Sequence, residues 1–158
     1  MRFIFGLNFY QQNVSLAVQQ MDKARSLASD CLMLAINQVN FSVSSQKLPQ
    51  ALEQAKALVE RWPADPAAWS CLGSVQNNLD LPSDAMQSWK TALGLDANWF
   101  DALAGYASSL VQTGKAQESL AWFDRALARM PAGSGVEEYP NLYFQHAWAL
   151  NRTGRFAL

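Results

Sequence analysis

The sequence has little charge and no long apolar run. Only 16% of the 158 residues are charged and the net charge is −1, so the composition gives no electrostatic reason to expect nucleic acid or a membrane surface as a partner. No stretch approaches the roughly 18 apolar residues of a membrane span. Half of the residues are apolar, which is typical of a globular chain that buries one core.

Cysteine is also scarce. The two cysteines, Cys31 and Cys71, lie in helix-like segments without a Cys-x-x-Cys motif or companion histidines. We therefore expect two buried free thiols, not a disulfide or a metal site. Free thiols fit a reducing compartment, and a cytoplasmic location is predicted. The first residues, MRFIFGLNFYQQN, are interpreted as folded chain because Gly6 and Asn8 interrupt the apolar run that a signal peptide needs.

Residue patterns typical of catalysis are missing. The one histidine, His146, has no serine or cysteine placed to pair with it as a nucleophile, and we expect it to be a partly buried structural residue. Solvation explains the pair Glu137-Glu138 in a loop-like segment. The GSG segment lacks the Lys-Ser/Thr of a phosphate-binding loop. We predict that this segment is not an enzyme and has no catalytic residue, cofactor or metal site.

What the sequence does contain is a repeat with a period of 34 residues. A small, a bulky and a small residue recur at positions i, i+4 and i+7, which form one face of a helix. Two copies of this triplet are Ala85, Trp89 and Ala92, and Ser119, Phe123 and Ala126. The same shift carries Trp69-Leu72-Gly73 onto Leu103-Tyr106-Ala107. The last copy lies at an offset of 40, because the loop-like AGSGVEEYP inserts six residues before Tyr143, Ala147 and Gly154.

This pattern resembles the tetratricopeptide repeat, a 34-residue helix–turn–helix unit. The resemblance implies an all-α fold, a right-handed α-solenoid of antiparallel helix pairs. It covers residues 47–158, with an incomplete last repeat, and is weak over residues 1–46, which are interpreted as divergent N-terminal helices, either a degenerate repeat or a cap. The predicted helices span residues 15–28, 30–43, 48–62, 67–79, 83–95, 100–113, 116–129 and 140–152.

Size complementarity gives the repeat a physical basis. Two helices pack closely where one presents a small side chain to the other, and we expect such a point at Gly73 with Ala85. Large rings such as Trp89 are expected to fill the spaces beside these points. The repeat is therefore a packing pattern, which explains why it mixes very small and very large residues.

Prolines and glycines mark the ends of the predicted helices. Pro49 and Pro82 fall at the starts of second helices, where the missing N–H costs little. Gly114 and Gly154 fit the turns between helices.

The last copy stops after its first helix and its turn. A second helix would need about a dozen residues, and only four follow Gly154. We expect that the chain is the N-terminal part of a longer protein; the alternative is a homo-oligomer in which a second copy covers the uncapped C-terminal end.

In the family, the first helices of the pairs line a concave groove that binds a peptide or protein. The resemblance places mainly small and amide side chains there, and amides can both donate to and accept from an extended peptide. The alternative is an exposed polar face without a partner. Phe144, Trp148 and Arg152 are interpreted as an anchor cluster. The predicted partner-binding residues are Ser70, Ser74, Asn77, Asn78, Asp101, Ser108, Gln112, Asn141, Phe144, Trp148, Asn151 and Arg152.

The resemblance therefore implies a scaffold or adaptor that binds a peptide or protein, with no nucleic acid or membrane as partner. Some family members clamp acidic C-terminal tails with lysine, asparagine and arginine. This clamp is lacking here, since the positions are Ser70, Ser74, Ala104 and Ser108. Two alternatives stay open. One is the non-catalytic region of a glycosyltransferase of the O-linked N-acetylglucosamine or SPINDLY type, and the other is a bacterial secretion chaperone with three repeats.

Overall fold

A computed structural model describes residues 31–155 and, before them, residues 15–16 and 18–19, which are helical. Residues 31–155 contain seven α-helices and no β-strand. The rest of the predicted helix 15–28 lies outside the described residues. The seven helices are α1 Leu32–Ser44, α2 Leu48–Arg61, α3 Pro66–Asn78, α4 Pro82–Leu95, α5 Phe100–Gln112, α6 Ala116–Ala128 and α7 Pro140–Arg152. Their ends agree with the predicted ends to within two residues. The predicted division of the chain between residues 46 and 47 stays a prediction.

The helices form pairs, and the pairs stack. α1 packs on α2, α3 on α4, and α5 on α6, while α2 contacts α3, α4 contacts α5 and α6 contacts α7. The odd-numbered helices also contact each other in order, from α1 to α7, whereas within the described segment no Cα atoms of α2, α4 and α6 lie within 8 Å of one another. The odd-numbered helices therefore form one continuous layer. This arrangement confirms the predicted all-α solenoid of helix pairs.

The indole of Trp89 lies between two glycines from neighbouring helices. Trp89 belongs to α4 and is 5% exposed. A Cβ atom added to Gly73 of α3 would lie 2.8 Å from the Trp89 Cδ2 and Cε2 atoms, and one added to Gly105 of α5 would lie 2.5 Å from Cζ2. Real Cβ atoms do not approach a ring so closely, so both positions require glycine. The three atoms nearest to the added Cβ of Gly73 all belong to the Trp89 ring. The close approach of Gly73 to Ala85 stays a prediction.

The turn that follows each odd-numbered helix has the same geometry in all four cases within the described residues. Its central residue has a positive φ: 59° at Gln46, 58° at Asp80, 80° at Gly114 and 67° at Gly154. In each turn the N–H of the next residue donates to the carbonyl five residues back, as Lys115 does to Leu110 at 2.8 Å. This is the Schellman motif, which closes a helix end with a left-handed residue. The predicted turn positions of Gly114 and Gly154 are confirmed.

Proline starts several of these helices. Pro49 and Pro82 lie in the first turns of α2 and α4, as predicted, and Pro66 and Pro140 begin α3 and α7. Proline is tolerated there because the first helical N–H groups have no intrahelical partner. At α3 the carboxylate of Asp65 also accepts a hydrogen bond of 2.9 Å from the Ala67 N–H. None of the helices in the described ranges combines the length and hydropathy that crossing a membrane requires.

We expect Gly105→Ala to lower the free energy of unfolding by about 1–3 kcal/mol, because the added methyl group overlaps the buried Trp89 ring. Gly94→Ala is the matched control. Gly94 also lies in a helix, but nothing is within 4 Å of its Cβ position, so the better helix former should stabilise the protein by about 0.5–1 kcal/mol. Urea unfolding measures both changes. Equal effects of the two substitutions would contradict the close packing of Trp89.

The repeated turn gives a second expectation. Gln46 holds a conformation that costs a non-glycine residue about 1–2 kcal/mol, so Gln46→Gly should raise the free energy of unfolding by about 0.5–1 kcal/mol after the entropy of the unfolded glycine is counted. Gly114→Ala should lower it by about 1 kcal/mol. Gly135→Ala serves as the control, since Gly135 lies in a loop without a positive φ and with open space around its Cβ position. Thermal unfolding of the three variants measures these changes. If Gly114→Ala stabilised the protein, the assignment of Gly114 to a left-handed turn conformation would be wrong.

Candidate functional site

A groove of about 700 Å³ runs along the layer of odd-numbered helices. All four odd-numbered helices contribute to its walls, and Trp89 of α4 reaches it from behind. The volume is in the range of pockets that hold ligands, roughly 300–1,000 Å³. The lining residues are Met33, Ile36 and Asn40 of α1; Ala67, Ser70, Cys71, Ser74 and Asn77 of α3; Trp89; Trp99, Phe100, Asp101, Ala104, Gly105 and Ser108 at α5; and Glu138, Tyr139, Pro140, Asn141, Leu142 and Gln145 at α7.

The six-residue insertion supplies part of one wall. The segment between α6 and α7 turns through Gly133, which has a φ of 88°, and returns to the layer at Tyr139. The Tyr139 ring packs edge-on against Phe100 of α5, with 4.9 Å between ring centroids and 71° between planes. Glu138 accepts a hydrogen bond of 2.6 Å from the Gly135 N–H, which holds this loop together. The insertion thus places two of its last residues, Glu138 and Tyr139, beside the start of α5.

Most of the buried polar atoms without a partner belong to residues that line this groove. Six buried side-chain nitrogen or oxygen atoms of the described residues have no hydrogen-bond partner, and five of the six belong to residues that line the groove. Buried polar atoms are normally paired, because leaving one unpaired costs about 1–3 kcal/mol. The groove therefore concentrates hydrogen-bonding capacity that the fold itself does not use. The five atoms are Ser70 Oγ, Asn77 Oδ1, Trp89 Nε1, Trp99 Nε1 and Gln145 Oε1.

The contrast with Trp69 shows that an unpaired indole is not general in this chain. Trp69 Nε1 donates a 2.8 Å hydrogen bond to the Pro63 carbonyl. Trp89 and Trp99, which line the groove, have no such acceptor among the described residues. Their two N–H groups are fixed donors, since an indole nitrogen can only donate.

The charge of the groove is negative. Its lining includes the carboxylates of Asp101 and Glu138, and no lysine, arginine or histidine is among the described lining residues. Asp101 makes no hydrogen bond or ion pair with another residue of the described segment. Although Asp101 is open to solvent on one side, the surrounding protein desolvates its carboxyl group and raises its pKa above the ordinary value of 3.8. An unpaired carboxylate therefore faces the groove.

Half of the predicted partner-binding residues line this groove. They are Ser70, Ser74, Asn77, Asp101, Ser108 and Asn141. Ser108 Oγ donates to the Ala104 carbonyl of its own helix at 2.9 Å, so its hydrogen is already used. The other six, Asn78, Gln112, Phe144, Trp148, Asn151 and Arg152, lie outside the groove lining. That any of the twelve residues binds a partner stays a prediction.

The predicted anchor cluster on α7 is only partly assembled. The Arg152 guanidinium carbon lies 4.9 Å from the centroid of the Trp148 ring, a cation–π geometry. Trp148 is half-buried and packs on the core formed by α5, α6 and α7, whereas Phe144 is 69% exposed. Trp148 and Arg152 continue the helical stripe that carries Asn141, but beyond the end of the groove.

Most residues of the groove lining were not predicted from the sequence as partner-binding, among them Trp89, Trp99, Phe100, Tyr139 and Gln145. The sequence predicted Trp89 as a core residue, because it occupies the bulky position of the repeat. Tyr139 could have been predicted from its position, because it lies at the end of the insertion, directly before α7. Gln145 lies one helical turn after Asn141, so the spacing i, i+4 could have indicated it.

The structure also tests the interpretation of the cysteines and of His146. Cys71 is buried as predicted, and burial raises the pKa of its thiol to about 12. Cys31 is exposed at the start of α1, so its predicted burial is wrong. The His146 ring packs on the Phe123 ring, with 5.4 Å between the ring centroids, and its Nε2 lies 3.6 Å from Asp124 Oδ1. These contacts fit the predicted structural role. No group of three metal-ligating side chains occurs among the residues that the structure describes.

We expect the two thiols to react at very different rates with 5,5′-dithiobis(2-nitrobenzoate) at pH 8. Cys31 is accessible and should react within seconds to minutes, whereas the high pKa and burial of Cys71 keep it protonated until the protein unfolds in urea. The variant Cys31→Ser should lose the fast phase and Cys71→Ser should keep it. A fast phase that persists in Cys31→Ser would show that Cys71 is accessible.

Solved structures with this arrangement of helices are found across several proteins, whereas no protein-family model and no curated protein matches the sequence. The Yersinia enterocolitica type III secretion chaperone SycD, in complex with a peptide of the translocator YopD, aligns with 80% of this chain and 98% of its own, at 16% identity and a TM-score of 0.67. The TPR2B domain of yeast Sti1, in a complex with pHsp70, aligns with 74% of this chain and 96% of its own, at 18% identity and a TM-score of 0.64.

A third structure is YrrB, which its authors describe as a TPR protein with an unusual peptide-binding site. It aligns with 96% of this chain and 75% of its own, at 17% identity and a TM-score of 0.61. At such identities the likeness concerns the fold. The chain therefore has the fold of the tetratricopeptide repeat proteins, as its period of 34 residues predicts.

Proposed function

We propose that this chain is a tetratricopeptide scaffold that binds an extended peptide segment of a partner protein in the groove of the odd-numbered helices. The observation that carries the proposal is that most of the unpaired buried polar atoms belong to residues that line that groove. Such atoms gain the most from a ligand, because pairing them removes a desolvation cost that the free protein carries.

An extended peptide matches the chemistry of these atoms. Its backbone offers carbonyls and N–H groups in alternation, so carbonyls can accept from the indole N–H groups of Trp89 and Trp99. N–H groups can donate to the amide oxygens of Asn77 and Gln145. The apolar remainder of the lining, with Phe100 and Tyr139, can take side chains of the same peptide. Backbone pairing together with side-chain pockets is a common mode of peptide recognition.

The related structures are compatible with this proposal. SycD is complexed with a peptide, Sti1 TPR2B is complexed with pHsp70, and YrrB is described as having a peptide-binding site. Those ligands belong to those proteins. What they support here is that a groove in this fold can hold a peptide.

The chemistry of the groove disfavours an acidic tail as the ligand. Binding a carboxylate-rich segment calls for cations, and the described lining has none. The two alternatives, the arm of a glycosyltransferase and a secretion chaperone, stay predictions, as do the non-enzymatic nature of this segment and a homo-oligomer through the C-terminal end. We place the protein in the cytoplasm, since its two cysteines are free thiols.

A selection from a displayed library of random 12-residue peptides tests the proposal. Peptides enriched on the full chain are synthesised, and their affinities are measured by fluorescence anisotropy. We expect Ser74→Tyr, which places a ring in the groove from an exposed position of α3, to weaken binding at least about tenfold. The control Gln87→Tyr puts the same ring on an exposed position of α4 outside the groove and should change nothing.

A second arm of this experiment compares the two candidate surfaces. Asn77→Ala removes an unpaired acceptor of the groove, and Trp148→Ala removes the ring of the predicted anchor cluster. We expect Asn77→Ala to weaken peptide binding more than Trp148→Ala does. Binding that depends on Trp148 but tolerates Ser74→Tyr would place the peptide on the end of α7 and refute the groove.

A further inference from the structure

We infer that the groove selects peptides with a basic side chain, arginine in preference to lysine, positioned opposite Asp101. This inference rests on the proposed function, since it names the kind of peptide that the same groove takes. It adds a charge requirement that the fold alone does not imply.

The first argument is the unbalanced charge of the lining. Asp101 and Glu138 are the charged side chains of the described lining, and both are acidic. Asp101 has no ion pair or hydrogen bond within the described segment. Desolvation raises its pKa, which means that the groove destabilises the ionised form of the carboxyl group. A cation brought by the ligand offsets that penalty, whereas a neutral or acidic side chain leaves or increases it.

The second argument is independent of charge and concerns the unused hydrogen-bonding groups of the lining residues. Trp89 and Ser70 both line the groove, are each only 5% exposed, and each carry a buried polar atom without a hydrogen-bond partner among the described residues. If small side-chain movements on binding expose these atoms, they can fix the backbone of a peptide in one register. A fixed register gives Asp101 a defined side chain to face, which is the condition for selectivity.

The two carboxylates differ in their hydrogen bonds and in the elements that carry them. Glu138 accepts a 2.6 Å hydrogen bond from the Gly135 N–H and belongs to the inserted loop. Asp101 lies in the first turn of α5, a rigid element packed on α3, α4, α6 and α7. Asp101 is therefore the carboxylate that sets the preference, and Glu138 adds to the negative potential around it.

Aromatic residues that line the same groove as Asp101 favour arginine. Phe100 precedes Asp101 in the chain, and the Tyr139 ring packs against Phe100. Both residues line the groove together with Trp99. A guanidinium group can stack on an aromatic face and pair with a carboxylate through two parallel hydrogen bonds, whereas the compact ammonium group of lysine cannot do both.

The test uses peptides from the 12-residue library selection on the full chain. We expect the enriched sequences to share an arginine at one position. Changing that arginine to glutamine, or Asp101 to asparagine, should each weaken binding about tenfold, and the two changes together should cost little more than either one. Lysine in place of the arginine should bind between arginine and glutamine. The charge exchange, Asp101→Lys with glutamate in the peptide, should restore most of the lost affinity.

The matched control is Asp84→Asn. Asp84 is also an exposed carboxylate in the first turn of a helix, α4, but it does not line the groove, and its substitution should leave the affinity unchanged. Enriched peptides without a shared basic residue, whose binding is still lost in Ser74→Tyr, would overturn the charge preference and keep the proposed function. A selection in which no enriched peptide depends on Ser74 would refute the proposed function itself.

Discussion

The packing of the three central helices depends on the contact of one indole ring with two glycines. Trp89 reaches from α4 between α3 and α5, and it fits because Gly73 and Gly105 lack a Cβ atom there. Close-packed interiors leave no room for an extra methyl group at such a point. The ring therefore fixes the spacing of three helices. Since Trp89 also lines the groove and leaves its Nε1 unpaired, the core contact and the candidate site are one feature of the molecule.

The four equivalent turns explain why the groove is continuous. Each pair of helices is joined by a Schellman turn with the same hydrogen bond and a positive φ at its central residue. The odd-numbered helices then line up in one layer. The insertion of six residues falls between pairs, after α6, and leaves this geometry intact. It changes only one wall, where it adds Glu138 and Tyr139 to an otherwise regular surface.

Much of the fold could be predicted from the sequence because its signals are local. Proline at helix starts, glycine at left-handed turns and the period of 34 residues fix seven helices to within two residues of their ends. The groove could be predicted only in part. A repeat assigns Trp89 to the core, but whether its N–H finds an acceptor depends on the side chains of other helices. Tyr139 lies in the insertion, where no repeat equivalent exists. The groove ends before it reaches Trp148, and this follows from the shape of the stacked pairs.

The most direct test of this account is the indole region of a ¹⁵N–¹H NMR spectrum during titration with a peptide from the library selection. The chain has six tryptophans, and each gives one indole signal. We expect the Nε1–H signals of Trp89 and Trp99 to move downfield as they gain acceptors, while that of Trp69, already bonded to Pro63, stays in place. Shifts confined to Trp148, with Trp89 and Trp99 unmoved at saturation, would contradict the account.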